Sequence, residues 1–292
     1  MEWGRDLATW PLNDVSRRIH HPPHHWHVQE MGSGPLALLI HGAGASTHSW
    51  RDIMPTLAKT HRVIALDLPG QGLSRAGARR RLGLAGMSED IASLCLAQGW
   101  QPSLIIGHSA GAAVALALAQ RLTAPNGQPP DIAGINAALG RFEGVAGWLF
   151  PALAKLLALN PFTASLFTLG ADKTTRARRL IEGTGSRISP EGLALYARLI
   201  ADREHVDATL QMMAQWTVDG LLAALPEITA RCLLVTGARD LAVPPETSTR
   251  AAKRMPCARA ITLDGLGHLA HEEDPERVLG VILDPTNWPE GP

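Results

Sequence analysis

The sequence predicts an α/β fold: a mostly parallel, doubly wound sheet with a helical cap inserted. Three observations carry that expectation. Short apolar runs bounded by Gly, Pro or charged residues alternate with helical patterns over residues 1–139. Over residues 140–225 only helical patterning is found. Alternation then resumes and runs to the closing helix. The expected organisation is therefore a core from residues 1–139 and 226–292 with a helical cap over 140–225.

The elements follow in order. After a polar start, residues 26–31 alternate apolar and polar like a first strand and close on Gly32-Ser33-Gly34-Pro35. Residues 36–40 and 62–66 are continuous apolar runs, as expected of strands buried on both faces. A helix is expected over 50–59 and another over 87–98, the latter capped by Ser88 and ended by Gly99. Strand 103–106, the Ala/Leu-rich helix 110–122 and strand 132–137 complete the first half. In the insertion, Ser189-Pro190-Glu191 reads as a cap followed by Pro at the first helical position, and 203–216 supplies a further helix. Strands 231–236 and 258–263 and a helix over 275–282 finish the chain.

Composition narrows the function. With 27 Lys+Arg against 27 Asp+Glu, the chain lacks the basic footprint of a nucleic-acid binder. The 46% hydrophobic content is enough for a large core. Cys95, Cys232 and Cys257 are odd in number and far apart, which reads as reduced thiols and a cytoplasmic protein. The N-terminus shows neither the basic nor the apolar region of a secretory leader. Residues 102–120 lack Asp, Glu, Lys and Arg, but His108 and Ser109 interrupt a stretch short of about 20 apolar residues. No transmembrane segment is expected.

The sharpest motif is Gly107-His108-Ser109-Ala110-Gly111, a G-x-S-x-G pentapeptide between an apolar strand and a helix. Its glycines permit the tight turn that lifts a serine hydroxyl above the sheet edge. The N–H of Ala110, at the helix start, then faces the same space and can stabilise an oxyanion. A serine nucleophile needs a base and a carboxylate to orient that base, and this architecture orders them Ser, acid, His. Asp240 follows one strand in Gly237-Ala238-Arg239-Asp240, and His268 follows the next in Gly265-Leu266-Gly267-His268. Taken singly, Asp240 also reads as a turn cap and His268 as a loop histidine. Their order at successive strand ends joins them to Ser109, because open parallel sheets carry their sites there. His41-Gly42-Ala43-Gly44 follows the strand 36–40, and the Ala43 N–H is the expected second oxyanion donor. His41 is expected to hold that loop, and the Asp67-to-Gly72 turn to shape the sheet edge.

Together HGAGAS, DLPGQG, GHSAG, GARD and GLGH resemble the α/β-hydrolase superfamily across essentially the whole chain. Gln71 stands where that superfamily commonly has His in DxxGHG. Trp26-His27-Val28-Gln29, the segment from His41 to Asp52, GHSAGAA at Gly107 and Met212-Met213-Ala214-Gln215-Trp216 are further similar to the magnesium-chelatase accessory hydrolases of bacteriochlorophyll biosynthesis. That resemblance implies a role beside magnesium insertion into protoporphyrin IX, with magnesium chelatase subunits as partners. It leaves two functions open: a hydrolase acting on an ester or related acyl bond of a bulky apolar substrate, or a non-catalytic module that binds or delivers a porphyrin.

Other chemistries fit less well. Dehalogenases and epoxide hydrolases of this fold need Asp at the elbow, and Tyr196 is the single tyrosine. No zinc-ligand spacing occurs, and no cofactor is implied. The cluster His20, His21, His24, His25 and His27 is read as a strand and turn rather than a metal site. His108, Trp148, Met212, Met213 and Trp216 are the candidate substrate-binding residues, with Phe150, Phe162 and Phe167 as further apolar wall. Arg176, Arg178, Arg179, Arg187, Arg198 and Arg203 would supply a rim for porphyrin propionates. The apolar insertion could also rest peripherally on a photosynthetic membrane.

Overall fold

The computed structural model describes residues 1–140 and 172–291. Among these described residues, eight strands form one sheet in the order β1-β2-β4-β3-β5-β6-β7-β8. They are β1 Ser16–His21, β2 His24–Met31, β3 Leu36–Ile40, β4 Arg62–Leu66, β5 Leu104–His108, β6 Asp131–Ile135, β7 Cys232–Gly237 and β8 Ala258–Leu263. The first two pair antiparallel, β2 pairs antiparallel with β4, and every later pairing is parallel.

Side chains of a strand point alternately to its two faces, so each central strand feeds two cores. Leu38, Ile40, Ile64, Leu66 and Ile105 pack on one face with the helices Leu84–Gln98 and Ala110–Ala119. Ala37, Leu39, Val63, Ala65 and Ile106 pack on the other with Trp50, Met54, Val278 and Ile282. Two-sided burial is why these strands read as unbroken apolar runs rather than alternating ones.

Some local expectations change. The polar start contains β1, an edge strand that buries only Ile19, so no apolar periodicity marks it. His20 lies opposite His25 in the β1–β2 register, so the histidine-rich stretch is a hairpin. Two of its members are core residues: His24 bonds Asp90 at 2.9 Å and His27 bonds Asp67 at 2.6 Å. The expected helix over 50–59 is instead a 3-10 turn, Thr47–Trp50, and a single helical turn, Met54–Leu57. The helix Leu84–Gln98 begins before Ser88, after Gly83; Ser88 donates its hydroxyl to the Ala85 carbonyl and is no cap. Gly99 ends it in the left-handed conformation, as its position suggests.

Between β6 and β7 the described residues are helical: Lys173–Glu182, Pro190–Ala201, Arg203–Gln215 and Asp219–Ala224. Ser189 caps the second by accepting the Gly192 N–H at 3.1 Å, with Pro190 at its first position. Ala177, Ile181, Tyr196 and Leu199 from these helices pack with Ala45, Leu73 and Leu269 from loops at the strand ends. Among the described residues no helix is long and apolar enough to cross a membrane.

The approach of the helix Ala110–Ala119 to the sheet requires glycine at two places. A Cβ on Gly107 would lie 2.3 Å from the Gly111 carbonyl oxygen, and one on Gly111 would lie 2.2 Å from that of Ile40. Gly107→Ala should therefore destabilise the protein by about 2 kcal/mol or more in urea unfolding. Gly280→Ala, in the helix Pro275–Leu283 with nothing within 4 Å of its added methyl, should be neutral or slightly stabilising. Equal effects of the two substitutions would contradict this packing.

Candidate active site

Ser109 sits between the last residue of β5 and the first of the helix Ala110–Ala119, at φ 52°, ψ −116°. A serine pays conformational strain there, of the order of 1–3 kcal/mol, so the surroundings must hold it. Its N–H donates to the Ile135 carbonyl at 2.9 Å, and its carbonyl accepts from the Ala112 and Ala138 N–H groups at 3.1 Å each. With the backbone pinned on both sides, the hydroxyl projects to His268 Nε2 at 3.0 Å.

The His268 Nδ1 lies 2.8 Å from Asp240 Oδ2. A carboxylate there makes Nδ1 the donor and leaves Nε2 to accept the Ser109 hydroxyl proton. Asp240 is buried and receives more than this one bond. Oδ1 accepts the Ala242 and Val243 N–H groups at 2.8 Å each, and Oδ2 also accepts Asn136 Nδ2 at 2.7 Å. Asn136 reaches the Gly267 carbonyl as well, at 3.2 Å, tying the acid to the histidine loop. The sequence pattern places Asn136 only in a strand. The signal for its role is an Asn directly after β6, a residue type that tolerates the left-handed conformation it takes at φ 47°.

The glycine turn after β3 is held in detail. His41 Nδ1 donates to the Gly42 carbonyl at 2.7 Å, while its Nε2 accepts the Leu68 N–H at 2.9 Å. The Gly42 carbonyl and the Ala43 N–H belong to one peptide plane and point in opposite directions. Fixing the carbonyl on His41 therefore fixes where the Ala43 N–H points. The N–H of Ala110 opens a helix and has no carbonyl one turn before it to bond. Asp67, beyond shaping its turn, accepts from the Thr47 and Leu73 N–H groups at 2.6 and 2.7 Å.

Gly42, Ala43, His108, Ser109 and His268 open on a cavity of about 430 Å³. Its walls are mostly aliphatic: Leu180 and Ile181 from one inserted helix, Ile200 from the next, and Val206, Leu210 and Met213 from the helix Arg203–Gln215, with Thr184, His205 and Thr209 between them. Tyr196 contributes its ring while its hydroxyl donates to buried Glu272 at 2.7 Å. Of the candidate substrate-binding residues, His108 and Met213 line this cavity. His108 also donates from Nε2 to the His268 carbonyl at 2.9 Å, bracing the loop from below. Met212, about 100° further round the helix than Met213, faces the core and takes the Gln71 amide on its sulfur at 3.2 Å. Trp216 follows the last helical residue and packs on the core. Trp148, Phe150, Phe162 and Phe167 lie outside the described residues. None of the six arginines expected at a rim is among the described lining residues. Arg198 instead stacks on Trp10 at 4.9 Å and bonds the Thr9 carbonyl at 3.1 Å. No group of three or more His, Cys, Asp and Glu among the described residues is arranged to hold a metal ion.

A serine on a strand-to-helix turn, facing a histidine and an acid from later strand ends of a parallel sheet, defines a class. The chain belongs to the alpha/beta hydrolase fold family, whose model matches residues 35–275. It is 46% identical to the "Magnesium-chelatase 30 kDa subunit" of Rhodobacter capsulatus, over 97% of this chain and 98% of the relative. A "Pimeloyl-[acyl-carrier protein] methyl ester esterase" of Aeromonas hydrophila is 26% identical, over 87% of this chain and 96% of the relative. Among solved structures, an alpha/beta hydrolase fold protein from Burkholderia ambifaria superposes with TM-score 0.74 at 22% identity. That match covers 93% of this chain and 98% of the other, and it shows the fold.

Imidazoles crowd the floor of the site. The His108 ring lies tilted at 4.9 Å from that of His268 and 4.5 Å from that of His271, and His48 contacts Tyr196 edge-on at 4.6 Å. Burial holds His48 and His108 well below the usual imidazole value of 6.5, His205 at about 4 and His271 at about 3. Burial also pushes the Glu272 carboxyl above its ordinary value, against the pull of Arg51. The sign follows from proton uptake on unfolding. Above pH 6.5 folded and unfolded chains both hold these imidazoles neutral, and their stabilisation is complete. As pH falls from there toward 4, the unfolded chain takes up protons that the folded chain refuses. Glu272 opposes with one proton against four. Urea unfolding should thus give a clearly lower midpoint at pH 5.5 than at pH 7.5, and an equal or higher one would contradict the assignment.

Proposed function

We propose that the protein is a serine hydrolase that cleaves a carboxylic ester or related acyl bond of a bulky apolar substrate through an acyl-enzyme. The observation that carries this reading is the unbroken line from Ser109 Oγ through His268 to Asp240, at 3.0 and 2.8 Å, opening on an aliphatic cavity. Ser109 Oγ attacks the acyl carbon as its proton passes to His268 Nε2. The carbonyl oxygen becomes an oxyanion between the Ala43 and Ala110 N–H groups, each contributing about 3 kcal/mol to lowering the barrier. When the intermediate collapses, the C–O bond to the leaving alcohol breaks, and His268 returns the proton to that oxygen. Water then gives a proton to His268 and attacks the acyl carbon, releasing the acid and restoring Ser109. Asp240 holds the tautomer and stabilises the imidazolium in both halves.

The cavity supports the substrate class. Its described lining holds no Lys, Arg, Asp or Glu; Ser109, three histidines, Thr184, Thr209 and Tyr196 are its polar members, and the other side chains are apolar. An ionised acyl chain would find no counter-charge there, whereas a neutral apolar one loses nothing on entry. The Rhodobacter capsulatus relative adds a setting: we propose that the hydrolysis is accessory to a magnesium chelatase acting on protoporphyrin IX. The alternative, a non-catalytic porphyrin-binding or delivery module on the same fold, draws on that relative's name and not on the lining chemistry.

An active-site fluorophosphonate should modify Ser109 of the wild type, and Ser109→Ala should take up none. The same substitution should lower kcat on a p-nitrophenyl ester at least about 10³-fold. Undiminished labelling or ester hydrolysis in Ser109→Ala would overturn Ser109 as the nucleophile, and a wild type that neither labels nor hydrolyses the ester would favour the binding module.

A further inference from the structure

We infer that His205 is a positioning residue for this reaction, locking the Gly42–Gly44 turn, and with it the Ala43 N–H, to the helix that forms one wall of the substrate cavity. The inference rests on the serine-hydrolase reading above. His205 lies in the helix Arg203–Gln215 and is 2% exposed. Its Nδ1 accepts the Gly72 N–H at 3.0 Å, so the ring proton resides on Nε2, which donates to the Gly44 carbonyl at 3.2 Å. The other polar group of Gly44, its N–H, donates to Gln71 Oε1 at 2.8 Å. Gln71 in turn donates its amide to Met212 Sδ at 3.2 Å, on the same helix as His205.

The turn needs such a hold from outside. Gly42 and Gly44 have no side chains to anchor it, and Gly44 stands at φ 77°, where the chain is free to move unless its polar groups are bonded. His41 fixes the peptide before Ala43 from the sheet side. His205 and Gln71 fix the peptides after it, from the helix side and the Asp67-to-Gly72 turn. One helix thus holds the donor loop directly through His205, and through Met212 by way of Gln71, while Val206, Leu210 and Met213 face the substrate. A donor moved by about 1 Å costs on the order of 10²-fold in rate, so this clamp should be visible in kcat.

The test separates the two bonds of the ring. An Asn amide reaches where Nδ1 stands and can serve Gly72, whereas a Gln amide reaches where Nε2 stands and can serve Gly44. His205→Phe and His205→Asn should each lower kcat on p-nitrophenyl butyrate about 10- to 100-fold, with KM changed less than about threefold. His205→Gln should recover most of kcat. The fluorophosphonate labelling rate of Ser109 should follow the same order. Equal recovery by Asn and Gln, or wild-type kcat in all variants, would overturn the clamp, and this comparison survives if the Phe variant fails to fold. If the wild type itself takes no label, the serine-hydrolase reading falls. If it labels and the variants label at its rate, the clamp alone falls.

Discussion

The strained turn at Ser109 is the constraint around which the site is arranged. A backbone at φ 52°, ψ −116° is unfavourable for serine, and it persists because the strand before it and the helix after it are both immovable. β5 lies in the middle of the sheet, flanked by β3 and β6, and the helix Ala110–Ala119 is buried along nearly its whole length. Gly107 and Gly111 let that helix lie against the backbone of β3 and β5. The core packing that stabilises the protein is therefore the same packing that holds the hydroxyl above the strand ends.

Around that point the polar interior follows from the need to satisfy buried groups. Asp240 accepts two backbone N–H groups, an amide and an imidazole, which fills the acceptor sites of a carboxylate. Arg51, Glu272, Ser49 and Tyr196 form a second buried cluster, with His271 bonded to Ser49 at 2.7 Å. That cluster turns the Tyr196 hydroxyl away from the cavity and leaves an aromatic wall. Where a backbone donor and a backbone acceptor must be joined, an imidazole serves because one ring nitrogen donates and the other accepts. His41 and His205 each join two backbone segments in this way.

What the sequence made legible, and what it hid, divides along the range of the interactions. The parallel strands were visible because two-sided burial writes itself as unbroken apolar runs, as in Leu36–Ile40 and Cys232–Gly237. Ser109, Asp240 and His268 could be grouped because each follows a strand, and the structure brings them within hydrogen-bond distance. β1 was missed because an edge strand needs no apolar face. Asn136 and His205 were missed because their partners lie 104 and 133 residues away for the bonds to Asp240 and Gly72. Met212 and Met213 were indistinguishable by type, and a rotation of one residue around a helix decided which meets the cavity. Tertiary geometry, not residue chemistry, sets such choices.

The proposed hydrolysis requires the elbow to present Ser109 to a carbonyl whose oxygen lies between two backbone donors. A crystal structure of the phosphonylated protein tests this most directly, since the tetrahedral phosphorus imitates the intermediate. The expected structure has a bond from Ser109 Oγ to phosphorus, with one phosphonyl oxygen at about 2.7–3.1 Å from both the Ala43 and Ala110 nitrogens. The alkyl chain should run along Val206, Leu210 and Met213. A phosphonyl oxygen directed to solvent, with neither nitrogen in hydrogen-bond range, would contradict it.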